Sequence, residues 1–244
     1  MVNGICSGKC DDERINDMVS IAIDGPSGAG KSTISRKAAE RFGLIYVDTG
    51  AMYRTIGLAA HRRGIDTRDR QSVISLLPEI KLEMKYNGQG EQRMYLWGED
   101  VSAEIRLPEI SMCASNVSAI PEVRAFLTDT QRSMAEKHNV IMDGRDIGTV
   151  ILPNARLKIF LTADVRSRAE RRLRELAAKG MTVGFDEVLT DMIKRDEQDT
   201  LRAAAPLRPA DDAVLLDTSS LSFGESVDAV CGLIAERTGL RARE

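Results

Sequence analysis

Residues Gly25 to Ser32 read GPSGAGKS, a full match to GxxxxGK[ST], directly after the apolar run SIAID (20–24) and before a helical stretch ending at Gly43. No other feature constrains the chain as tightly, because a glycine-rich turn between a strand and a helix can wrap its backbone around a polyphosphate. Successive N–H groups and the helix N-terminus then point at phosphate oxygens. Gly25, Pro26, Ser27, Gly28, Ala29, Gly30, Lys31, Ser32 and Thr33 form the expected phosphate-binding segment. Lys31 would neutralise β/γ charge, and the Ser32 hydroxyl is placed to reach Mg2+.

Four further short runs, LIYVD (44–48), NVIMD (139–143), RLKIFL (156–161) and AVLLD (213–217), alternate with helical segments. This pattern predicts an α/β fold with a five-stranded parallel sheet flanked by helices. Four of the five runs end in aspartate, and in such sheets the ligand crevice lies beyond the carboxyl ends of the strands. Asp24, Asp48, Asp143 and Asp217 are therefore expected at one rim, with capping of the next turn as the alternative for Asp217 and Asp24. Ser32 and Asp143 are the expected metal ligands. Two stretches break the alternation. Residues 80–101 suggest a β-hairpin around Asn87-Gly88, inserted as a subdomain, and residues 165–180 form an arginine-rich helix stopped by Gly180.

The chain has 244 residues, with 34 Lys+Arg against 37 Asp+Glu and a net charge of −3. That balance argues against coating nucleic acid or an anionic membrane, which would need a large basic excess. No apolar run approaches a spanning helix, and a cytoplasmic monomer is the expectation. Cys6, Cys10, Cys113 and Cys231 do not make a metal pattern and read as reduced thiols, and His61 and His138 lack partners at ligand spacing. Residues 1–17 are polar and aperiodic, which suggests a disordered extension.

Arginines indicate a second anion. DTGAMYR places Arg54 just after the second core run and DGRDIGT places Arg145 just after the third, so the two guanidiniums converge if both strand ends face the loop; the alternative for each is a solvated surface position. In residues 184–202 an apolar stripe of Phe185, Val188, Leu189 and Met192 is continued by Arg195, Asp199 and Arg202, as expected for a helix lining a cleft. An exposed i,i+4 pair of Arg195 with Asp199 is the alternative. Arg168, Arg171 and Arg172 either belong to a solvated face with Glu170–Arg174 and Arg171–Glu175 pairs, or close as a lid over the phosphates in transit.

GPSGAGKST, DTGAMYR, GEDVSAEIR, ASNVSAIPEVR, DGRDIGTV, KIFL, RDEQDTLRAAAPLRPA and AVLLDTSSLS, in this order over about residues 18–238, resemble the bacterial cytidylate kinases. The resemblance implies a P-loop core over 18–49, 122–164 and 181–244, a nucleoside-monophosphate subdomain over 50–121 with a β-insert near 80–105, and a lid over 165–180. It implies transfer of a phosphoryl group from ATP, with Mg2+, to CMP or dCMP. Lys31, Arg145, Arg171 and Arg172 would be catalytic, and Arg168 would join the ATP site. Ser115, Arg124 and Asp146 would meet cytosine. Arg54, Arg145 and Arg202 would hold the CMP phosphate, and Arg195 and Asp199 the sugar, with Thr49 nearby. Two other readings remain beside it, a P-loop kinase for a different small anion and a nucleotide-binding module without turnover.

Overall fold

The computed structural model describes residues 18–178 and 180–243; the extension expected over residues 1–17 lies outside the described residues. In chain order the strands are β1 (Ser20–Asp24), β2 (Ile45–Asp48), β3 (Leu82–Tyr86), β4 (Gln92–Leu96), β5 (Glu99–Asp100), β6 (Val140–Gly144), β7 (Leu157–Thr162) and β8 (Val214–Asp217). The α-helices are α1 (Lys31–Phe42), α2 (Thr49–Arg62), α3 (Arg70–Leu76), α4 (Pro108–Ser118), α5 (Pro121–Lys137), α6 (Val165–Ala178), α7 (Phe185–Leu201) and α8 (Phe223–Thr238). A single π-helical turn spans Ile147–Ile151, directly after β6.

Five strands form a parallel sheet in the order β2-β6-β1-β7-β8, with boundaries within a residue of the apolar runs. Its inner strands are buried on both faces, so their sequences read as near-continuous apolar runs rather than alternating ones. Ile21 and Ile23 pack into the layer under α1 and α8, and Ala22 into the layer under α2, α4 and α5. β1 lies between β6 and β7, so the loops leaving β1 and β6 open at one rim, where ligand crevices form in such sheets.

The insert is a separate three-stranded antiparallel sheet, β3-β4-β5. Its hairpin closes between Asn87 and Glu91, and Gly90 adopts φ 74°, so the connection is a three-residue loop rather than a two-residue Asn-Gly turn. The short β5 has no counterpart in the sequence pattern. The insert docks on the outer edge of β2, where the Tyr86 hydroxyl donates to Tyr46 O at 2.9 Å. There the Gln92 side chain also accepts from Asp48 N at 2.8 Å and donates to Asp48 O at 3.1 Å.

α6 ends as expected at Gly180, with Gly180 N–H donating to Ala177 O and Met181 N–H to Leu176 O, the pattern that closes a helix through a left-handed residue. α6 and α7 pack on each other through a third apolar cluster, Ala169, Leu176, Val188 and Met192. Among the described residues, no helix is long and apolar enough to cross a membrane.

Candidate active site

The loop after β1 runs so close to β7 that a Cβ on Gly25, at φ 147°, would lie 1.9 Å from Leu161 O. Only glycine fits there. The loop delivers Lys31 to the start of α1, where its ammonium donates to Gly25 O and Pro26 O, both at 2.7 Å. Burial, reinforced by the Arg145 charge, pushes the Lys31 pKa down to about 7 against the pull of Asp143, Asp199 and Asp24. The Ser32 hydroxyl donates to Asp143 Oδ2 at 2.8 Å, and the Tyr46 hydroxyl to Oδ1 at 3.2 Å. Burial and the nearby Asp48 charge push Asp143 up to about 7. Thr49 donates to Asp143 O at 2.8 Å, which ties the start of α2 to the end of β6. Of the loop residues, Thr33 points outward and is exposed.

Across the rim the cations converge. Arg54 donates to Ile105 O and Ser111 Oγ, both at 3.0 Å. Its pKa is lowered to about 10 by burial and by repulsion from Arg106, Arg172 and Arg145, which outweigh Asp48. Arg195 is held at about 9 by burial and by Arg145 and Arg54, and its Nε is buried without a hydrogen-bond partner. Arg145 Nε sits 2.7 Å from Asp199 Oδ2. Burial pushes the Asp199 carboxyl up, but Arg145 and Arg195 overcome this and leave it below its ordinary value. Asp199 therefore partners Arg145 directly, in place of the exposed Arg195 pair that helix spacing allowed.

Beside this cluster lies a more deeply buried set. Arg124 forms an ion pair with Asp146, whose other oxygen is 3.5 Å from Arg202. Side-chain exposures of 8%, 5% and 5% for Arg124, Asp146 and Arg202 put all three out of bulk water. Arg124 also donates to Ser118 O at 3.2 Å, and Arg202 to Ala205 O at 2.7 Å. Ser115 donates to Gln198 Oε1 at 3.1 Å, linking α4 to α7.

The arginines of α6 divide. Arg168, 5% exposed, donates to Ala163 O at 2.8 Å and to Ser27 O at 2.9 Å, and pairs with Asp196 at 2.7 Å. It thereby staples α6 and α7 to the phosphate-binding loop. Arg171 turns inward to Thr218 O at 2.6 Å, so the expected Arg171–Glu175 pair does not form; Glu175 is held by Arg172 instead, at 3.1 Å. Arg174 bonds the Glu170 backbone carbonyl rather than its carboxylate. Arg172 adds its charge to the field on Arg54. At the other strand ends, Asp217 caps its own turn at Ser219, as one alternative had it, whereas Asp24 reaches a distant segment.

Sequence reasoning passed over Arg106, although it closes the quoted GEDVSAEIR motif. It lies 3.2 Å from Asp48 and faces Arg54. Ser118 and Tyr46 were also passed over, because each acts through a neighbour whose position only the fold supplies.

For Mg2+, the residues present fit. Among the described residues no cluster of three or more His, Cys, Asp or Glu stands at metal-holding geometry. Mg2+ commonly takes one or two carboxylates and completes its shell with phosphates and water. Asp143, with a second carboxylate nearby in Asp48 and a hydroxyl at 2.8 Å from Ser32, is such a donor set.

The family model for cytidylate kinase matches residues 21–236. The cytidylate kinase of Caldicellulosiruptor bescii is 49% identical over 215 residues, covering 88% of this chain and 95% of that one. The cytidylate kinase of Caldanaerobacter subterraneus is 48% identical over 224 residues, covering 92% and 98%. That of Pelotomaculum thermopropionicum is 45% identical over 230 residues, covering 94% and 100%. With this extent of match, the chain belongs to the cytidylate kinase family.

Proposed function

We infer that this protein transfers the γ-phosphoryl group of ATP to CMP or dCMP, giving CDP or dCDP and ADP. One observation supports the reading: the buried Arg124–Asp146 pair, offered to the base, meets Arg202 and lies beside Arg54, Arg145 and Arg195, so groups suited to cytosine adjoin groups suited to its phosphate and sugar. Cytosine offers acceptors at O2 and N3 and a donor at its amine, which an arginine fork and a carboxylate complement. Uracil reverses two of these polarities and would leave buried groups unpaired, a loss of about 1–3 kcal/mol for each.

The acceptor phosphate is already anionic, so no strong base is required, and catalysis rests on positioning and charge. Lys31 and the loop N–H groups hold the donor phosphates. Arg54, Arg145 and Arg195 repel one another; Asp199 offsets part of that repulsion, and an acceptor phosphate would relieve more of it. Arg172, from α6, adds charge on the same side and is the lid arginine best placed to follow the phosphoryl group in transit. Ser32 and Asp143 are the residues that would hold Mg2+, which when bound neutralises charge on the donor phosphates. Thr49, Ser115 and Asp199 complete the acceptor pocket.

A monophosphate panel with ATP and Mg2+, read by coupled ADP release, tests this. CMP and dCMP should exceed UMP and AMP by at least about a hundredfold in kcat/KM, in line with what buried polar recognition supplies. Equal use of UMP would reject the specificity, and ADP release indifferent to any monophosphate would reject the reaction.

A further inference from the structure

Asp146 stands at the position immediately before the π-helical turn Ile147–Ile151, where an aspartate ordinarily folds back to accept the first free N–H groups of its own turn. It makes no such bond. Its carboxylate is turned instead toward Arg124 and Arg202. The first two N–H groups of the turn, of which that of Gly148 is one such an aspartate would cap, belong to buried residues, and leaving buried donors unpaired is costly. They are taken by a residue more than a hundred positions away: Asp24, 5% exposed, accepts Ile147 N–H on Oδ1 at 2.8 Å and Gly148 N–H on Oδ2 at 2.7 Å. Space is tailored to this contact, since a Cβ on Gly148 would lie 3.1 Å from the Lys158 side chain and 3.4 Å from Asp24 Oδ2.

We propose that Asp24 is a positioning residue that caps the turn in place of Asp146, freeing the Asp146 carboxylate for the base pocket and fixing Arg145 beside it. The division of labour has a geometric consequence. Asp24 immediately precedes Gly25, so the loop that holds the donor and the segment that reads the acceptor are referenced to one buried carboxylate. Without it, Asp146 can turn back to cap its own turn, and Arg124 and Arg202 then lose the carboxylate that neutralises them. Because the carboxylate hydrogen bonds of Asp24 go to residues 147 and 148 and it acts on Lys31 through charge alone, behind Asp143 and Asp199, the donor loop keeps its backbone and the larger damage falls on the acceptor side.

The inference rests on the proposed CMP specificity, and the test separates the two. D24N and D24S are compared with the wild-type protein for KM of CMP at saturating ATP, KM of ATP at saturating CMP, and the CMP-to-UMP ratio of kcat/KM. The expected result is a rise of about tenfold or more in KM for CMP and a fallen CMP-to-UMP ratio, with KM for ATP within about twofold. Amide exchange at Ile147 and Gly148 should accelerate in both variants. Folded variants with unchanged KM for CMP, or an equal rise in both KM values, would overturn the proposal. So would failure of both variants to fold, which would make Asp24 a stability residue alone. A wild-type protein without preference for CMP would count against the proposed specificity instead, whatever the variants do to amide exchange.

Discussion

Arg145, leaving β6, and Asp199, near the end of α7, are joined by a charge-assisted hydrogen bond of 2.7 Å between segments 54 residues apart. The bond aims a guanidinium that also feels Arg195, and it sets the distance of α7 from the sheet. In D199A, Arg145 would face Arg195 with no intervening carboxylate. KM for CMP should rise by about tenfold or more, and stability should fall by about 1–3 kcal/mol, read by initial rates and denaturant melts.

Arg124 is paired with Asp146 in a buried site, and removal of one partner of such a pair strands the other. R124M should cost about 3–5 kcal/mol of stability and reduce kcat/KM for CMP by a hundredfold or more, by ~3 kcal/mol of lost recognition. Affinity for ATP, measured by equilibrium titration, should stay within about threefold because no Arg124 contact reaches the phosphate-binding loop.

Two neighbouring arginines of α6 should fail in different ways. Arg168 bonds the Ser27 carbonyl and Asp196, so R168A should lower the melting temperature by several degrees, as for about 1–3 kcal/mol, and raise KM for ATP. Arg172 pairs with Glu175 on its own helix and contributes charge toward Arg54. R172A should leave melting nearly unchanged and lower kcat by at least about tenfold.

Burial, against two backbone N–H bonds and with the Asp146 charge adding to it, raises Asp24 to about 6 from 3.8. The folded protein therefore keeps this proton to a higher pH than the unfolded chain does. The stability it contributes is full below about pH 4 and is lost as the pH rises through about 6. D24N has no such loss, so its stability relative to wild type should improve between pH 4 and pH 7 by on the order of 2–3 kcal/mol, measured by urea melts across that range.

Much of this arrangement is legible from residues alone, because strand and loop patterns are local. The five core strands follow from apolar runs, and the phosphate-binding loop follows from a motif that needs only a strand before it and a helix after it. What is not legible depends on meetings between distant segments. DGRDIGT gives no sign that its turn is capped from Asp24, since nothing near it in sequence supplies the acceptor. The arginines of α6 look alike as a string, and only their partners, Ser27 for Arg168, Thr218 for Arg171 and Glu175 for Arg172, tell them apart. The hairpin was foreseeable from its turn residues, but its docking on β2 was not, because Tyr86 and Gln92 carry no pattern that names Tyr46 and Asp48 as partners.

That docking has a consequence for how copies of the chain behave at high concentration. A parallel sheet ends in strands whose outward backbone groups can recruit a foreign strand. On β2 those at Tyr46 and Asp48 are already occupied by a phenol and a carboxamide, so side chains stand in for a sixth strand and blunt that margin against self-association. The opposite margin, β8, is only four residues long and ends in Asp217, which leaves little for a templating neighbour to extend.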